Sequence, residues 1–141
     1  MILLKRILIL EDNLLVLSKI LANLELVEQN QPYLLSLVIL TDSQQVEDYV
    51  NNNPKAKFDI ILLDRDCKLN NSFHVLNIGR FGADKIIAIS SVPEYNKELK
   101  HRGVKRVILK DLKHIDEFAL KVAKEVERML TPSRLFSFKR F

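Results

Sequence analysis

Hydrophobic residues fall along this chain in short solid blocks separated by amphipathic stretches. Ile7–Leu10, Ile60–Leu63 and Ile86–Ile89 are apolar at every position, and each stops at a polar side chain. Blocks that short, without polar alternation, predict strands covered on both faces. Leu35–Leu40 predicts a second strand, Asp59–Leu63 a third, Ile86–Ile89 a fourth and Val104–Leu109 a fifth.

Between the blocks the spacing turns helical. Asn13 is placed to cap a helix carrying Leu14, Leu17, Leu21 and Leu24, which should end near Glu28 before the turn-like Gln29-Asn30-Gln31-Pro32. Asp42 or Ser43 caps a short helix to about Val50, stopped by Asn51-Asn52-Asn53-Pro54. A polar loop, Asp64 to Asn71, leads to a short helix with Phe73, Val75, Leu76 and Ile78, ended by Gly79 or Gly82. Pro93 opens a largely polar, exposed helix over about Glu94 to His101, and Gly103 terminates it. Ile115, Phe118, Ala119, Val122, Val126, Met129 and Leu130 mark a final helix with one apolar face, closed by Pro132. Strands alternating with helices predict a doubly wound parallel α/β domain over residues 1–131. A short basic, aromatic tail occupies 132–141.

Composition narrows the setting. A chain of 141 residues fits one domain with a sizeable core, and 48% apolar with 28% charged residues is globular composition. The single Cys67 excludes an internal disulfide framework and fits a reducing, cytoplasmic compartment. No apolar run approaches the roughly 20 residues that span a bilayer. At the N-terminus Lys5-Arg6 follow the apolar residues, the reverse of a secretion signal. The net charge of +4 is too mild to point to nucleic acid.

The polar residues that stop the strands carry the candidate chemistry: Glu11 and Asp12, Asp64, Ser90, and Lys110. Ligands bind open parallel sheets at the carboxyl ends of the strands, and right-handed crossovers bring these residues to one edge. Any one of them alone could equally be an exposed loop residue. Together the carboxylates repel one another, which raises their proton affinity unless a cation neutralises them. Mg²⁺ suits such a set, because it takes one or two carboxylates and keeps waters. Lys110 offers a point charge for a phosphoryl oxygen and Ser90 a hydroxyl donor. The constellation describes a carboxylate nucleophile that accepts a phosphoryl group.

In this arrangement the chain resembles the response-regulator receiver domain family. The likeness rests on Ile7-Leu8-Ile9-Leu10-Glu11-Asp12, Asp59-Ile60-Ile61-Leu62-Leu63-Asp64, Ile86-Ile87-Ala88-Ile89-Ser90-Ser91 and Gly103-Val104-Lys105-Arg106-Val107-Ile108-Leu109-Lys110. It implies a five-stranded, flavodoxin-like three-layer sandwich. It also implies Asp64 as phosphoacceptor, with Mg²⁺ held by Glu11, Asp12, Asp64 and the backbone carbonyl of Asp66. Ser90 would be the switch hydroxyl and Lys110 the phosphate-contacting lysine. The phosphoryl donor would be a histidine kinase or phosphotransfer protein, and the readout a shift of the fourth helix and fifth strand.

The chain departs from the family's pattern in places. Asp111 follows Lys110 where the family usually has Pro, commonly after a cis peptide. A cis bond before a non-proline costs about 3 kcal/mol, so a trans bond and a differently aimed Lys110 are expected. Val107 stands where an aromatic switch often lies, and Lys68 where the loop after the phosphoacceptor usually has Pro. Asp66 could position water to hydrolyse the acyl phosphate, or could be a solvated loop residue that contributes only its carbonyl.

Two other classes compete. Asp64-Arg65-Asp66, Ser90 and Lys110 also resemble haloacid-dehalogenase-type phosphohydrolases, which need a further acidic motif after the lysine. Here the acidic pair sits on strand one instead, and chain order favours the receiver. A pseudo-receiver interaction module is the third reading. The basic residues Lys97, Lys100, His101, Arg102, Lys105 and Arg106, with Arg134, Phe136, Phe138, Lys139, Arg140 and Phe141 in the tail, could bind an acidic surface. A protein partner or homodimer is favoured over nucleic acid, for which no recognition motif is present. His74, His101 and His114 lack metal-like spacing and read as surface residues, and Cys67 has no activating base. The expectation is a single-domain phosphoacceptor, not an enzyme, with its output through a partner surface.

Overall fold

The computed structural model describes residues 3–131; the tail, and with it the helix end at Pro132, lies outside the described residues. Strand β1 (Leu3–Leu10) lies between β2 (Tyr33–Leu40) and β3 (Ile60–Leu63), followed outward by β4 (Ile86–Ala88) and β5 (Arg106–Val107). All neighbours pair parallel, in the order β2-β1-β3-β4-β5. This is the flavodoxin-like order, whose ligand crevice lies beyond the carboxyl ends of the strands.

Alternate strand residues feed two separate cores, which is why the blocks are apolar throughout. Ile7, Ile9, Ile60, Leu62 and Ile87 face α1 (Leu14–Asn30) and α5 (Ile115–Leu130). Leu8, Leu10, Ile61, Leu63 and Ala88 face the opposite layer, with Val46, Phe73 and Leu99. The result is a three-layer sandwich.

Helix α1 begins as its sequence predicts, with the Asn13 side chain accepting from the Val16 amide at 3.1 Å, but it runs on to Asn30 rather than Glu28. Helix α2 (Ser43–Val46) starts at a reciprocal Asp42–Gln45 capping box and widens into a π turn over Glu47–Asn51. Arg80 clamps that turn, donating to the carbonyls of Val50 (2.9 Å), Asn51 (2.9 Å), Asn53 (2.6 Å) and Ala56 (3.2 Å).

The helix predicted around Phe73–Ile78 is divided. Ser72 caps a single 3₁₀ turn, Phe73–Val75; the chain then extends at Leu76, and Asn77 caps a second turn, α3 (Ile78–Phe81). Two polar caps so close together each claim their own start. Gly79 lies inside α3, and Gly82, at φ +98°, ends it. Helix α4 (Pro93–His101) runs as predicted and ends at Gly103, also at φ +98°. β5 is shorter than the predicted Val104–Leu109, because only Arg106 and Val107 pair as a strand. Its backbone still continues the ladder: Ile108 N–H donates to Ala88 O at 2.9 Å and Lys110 N–H to Ser90 O at 3.1 Å.

Candidate functional site

The register aligns the strand ends. Leu10 pairs with Leu40 and Leu63, and Leu63 with Ala88, so the residues just beyond them share one edge of the sheet. Oxygens of Glu11, Asp12 and Asp64 lie within 4.8 Å of one another there. Lys110 reaches across from beyond β5, its Nζ 2.7 Å from Glu11 Oε1 and 2.9 Å from Asp64 Oδ2. No peptide among the described residues is cis, so the Lys110–Asp111 bond is trans, as expected, yet Lys110 is not aimed away. Asp111 instead starts the next turn: its carboxylate accepts from the Lys113 amide and pairs with His114.

Glu11 is 0% exposed, Asp64 3% and Lys110 8%. Burial, reinforced by the Asp64 charge, pushes Glu11 up to about 7 against the pull of Lys110. Burial also raises Asp64, again opposed by Lys110. Desolvation works against the Lys110 ammonium, but Glu11 and Asp64 outweigh it and its pKa is raised. One ammonium thus pairs with two of three clustered carboxylates. The remaining negative charge, carried on hard oxygen donors, is what a divalent cation binds. The donor set fits such an ion.

Ser90 joins this edge through its backbone, its carbonyl accepting from the Lys110 amide. The Ser90 hydroxyl accepts from the Val92 amide at 3.1 Å, just before α4. The Asp66 carboxylate is exposed and turned onto Arg65 at 2.9 Å, and the same guanidinium sits 4.3 Å above the Tyr95 ring of α4. Cys67 is buried and burial raises its thiol pKa, which agrees with its having no assigned chemistry.

Two residues escaped the sequence reading. Asn96, on the helix expected to be exposed, is 3% exposed and pairs with the Ser90 backbone in both directions. Its signal was faint, an amide side chain in mid-helix where such residues are poor formers. His74 is not a surface residue: its side chain is 7% exposed, packed under α4 with Nδ1 3.5 Å from Glu98. The neighbouring face of α4 forms a cleft of about 330 Å³ over Val107, rimmed by Lys97, Lys100 and Leu109.

No family model matches the sequence, and no curated protein matches it. Solved structures do. The Mn²⁺-bound form of response regulator Rcp1 superposes with a TM-score of 0.68 at 16% identity, covering 90% of this chain and 97% of that one. The chain has the receiver fold. The phosphorylated cyanobacterial phytochrome response regulator RcpA gives 0.65 at 18% identity, over 87% and 91% of the two chains. The bacteriophytochrome response regulator RtBRR gives 0.62 at 24%, over 89% and 78%. At such identities the likeness establishes the receiver fold alone. Among the described residues no helix is long and apolar enough to cross a membrane.

Proposed function

We propose that this receiver-fold domain, residues 1–131, is the phosphoacceptor of a two-component phosphorelay, acting in the cytoplasm. The observation that carries the reading is the buried Lys110 ammonium bridging Glu11 and Asp64 beside Asp12. An Asp64 oxygen attacks the phosphorus of a phosphohistidine on a histidine kinase or phosphotransfer protein. The P–N bond breaks, the imidazole leaves, and an acyl phosphate forms on Asp64. Lys110, already at Asp64 Oδ2, neutralises a phosphoryl oxygen, and the Ser90 hydroxyl donates to another. Glu11, Asp12, Asp64 and the Asp66 carbonyl would hold Mg²⁺, which when bound offsets charge on the phosphoryl group. The RcpA structure is that of a phosphorylated protein and the Rcp1 structure holds Mn²⁺, which supports the same chemistry here. In this reading Asp66, now paired with Arg65 at the surface, would tune hydrolysis of the acyl phosphate once that pair opens. Output then passes to a protein partner or a second copy.

Intact-protein mass after incubation with acetyl phosphate or phosphoramidate and Mg²⁺ tests this. The parent should gain one labile phosphoryl group and Asp64→Ala none. A parent that stays unmodified with every donor is instead a pseudo-receiver interaction module. Steady release of phosphate from phosphate esters would assign it to the haloacid-dehalogenase-type hydrolases.

A further inference from the structure

The Ser90 carbonyl accepts two hydrogen bonds, from the Lys110 amide at 3.1 Å and from Asn96 Nδ2 at 3.0 Å. Asn96 Oδ1 in turn accepts from the Ser90 amide at 3.1 Å. One side chain of α4 therefore grips both backbone groups of the residue whose hydroxyl, on the proposed reading, meets the phosphoryl group. Through the shared carbonyl it also reaches the backbone of the lysine that holds Asp64. Asn96 and Ser90 are both almost fully buried, Asn96 only bordering the cleft, so water has little access to the groups they pair.

The Ser90 hydroxyl adds a second tie. Its oxygen accepts from Val92 N–H, and Val92 is the cap position of α4, which has no side-chain cap of its own and carries Pro93 at its first helical position. Where the Ser90 side chain rotates to reach a phosphoryl oxygen and its oxygen leaves Val92, that amide loses its acceptor. Val107 supplies no aromatic ring to carry the change along β5, being only half-buried above an open cleft. Polar ties between the site edge and α4 include these amide bonds and the outlying Arg65–Tyr95 stack, alongside the packing of Leu99 in the layer that holds Leu63 and Ala88.

We propose that Asn96 is a positioning residue that couples the occupancy of Asp64 to the seating of α4, in place of an aromatic readout. The proposal rests on Asp64 being the phosphoacceptor. A displacement of Lys110 or Ser90 on phosphorylation is transmitted as a shift of two directional hydrogen bonds into the second turn of α4. A packed apolar contact would tolerate such a shift, whereas a bidentate amide pair has one good geometry.

Hydrogen exchange of the α4 amides tests it, in samples treated with phosphoramidate and Mg²⁺ and checked for the Asp64 adduct by intact mass. The parent should show a change in α4 exchange on phosphorylation. In Asn96→Ala the adduct should still form, but the phosphorylation-dependent change should shrink by about fivefold or more, the lower range of an allosteric coupling. Leu99→Ala is the control, since it removes a fully buried side chain from the same helix without touching Ser90. There exchange should be faster throughout while the phosphorylation-dependent change persists. Should Asn96→Ala not fold, Asn96→Asp keeps the acceptor for the Ser90 amide and loses the donor to its carbonyl, and it too should uncouple. An Asn96→Ala protein that responds as the parent does overturns the proposal, as does a phosphorylated parent whose α4 is unchanged. A parent without adduct overturns the phosphoacceptor reading itself, and the mass spectrum shows which of the two has failed.

Discussion

Lys110 is held at both ends, by its amide on Ser90 and by its ammonium on Glu11 and Asp64. Removing one partner of a buried ion pair leaves the other charge uncompensated, at a cost of about 3–5 kcal/mol. Lys110→Met should therefore lose stability on that scale in urea melts without divalent cation, and a change under about 1 kcal/mol would show the pair to be energetically idle. His74 gives a test with the opposite chemistry. Burial lowers its pKa below the ordinary 6.5, with Arg102 and Arg65 adding to the effect and Glu98 opposing it. The unfolded chain then binds the proton more readily than the folded one, so stability is lost as pH falls below 6.5. His74→Gln should flatten that decline; equal slopes for variant and parent would exclude His74 as its source. The strand-end residues were legible because a polar side chain after a solid apolar block is conspicuous. Asn96 and His74 were not: Asn96 is one more polar residue on a largely polar helix, and the partner of His74 lies on a helix distant in the chain.

At the scale of elements, the cap at Asn13 and the stop at Gly103 could be read locally, and the cap at Asp42 and stop at Gly82 to within one alternative each, since each acts within a few residues. The π turn and its clamp could not: Arg80 sits on α3 and its carbonyl partners lie 24 to 30 residues away. Hydrogen bonds from a charged donor contribute about 1.5–3 kcal/mol each at most, and these are partly exposed. Arg80→Leu should cost about 2–3 kcal/mol in urea melts and speed exchange over residues 47–56. A loss below about 0.5 kcal/mol would mean that the turn holds without it. The helix predicted over Phe73–Ile78 failed for a related reason, because apolar spacing marks a buried face and does not see that Ser72 and Asn77 both start turns within it.

For the whole molecule, the alternation of blocks was enough to anticipate five parallel strands and three layers, because strands buried on both faces require helices above and below. Strand order was not written in the pattern; it follows from which blocks find partners in space. That order has a consequence for how the protein is made. Lys110 lies 99 residues after Glu11 and 46 after Asp64. During synthesis β1 and β3 can pair, and gather the acidic residues, before the lysine that compensates them has left the ribosome. Until the last strand docks, the carboxyl edge of the nascent sheet carries charge that repels itself and retains water. A chain cut short before Lys110 lacks the one ammonium that pairs with Glu11 and Asp64, and so keeps that repulsion permanently.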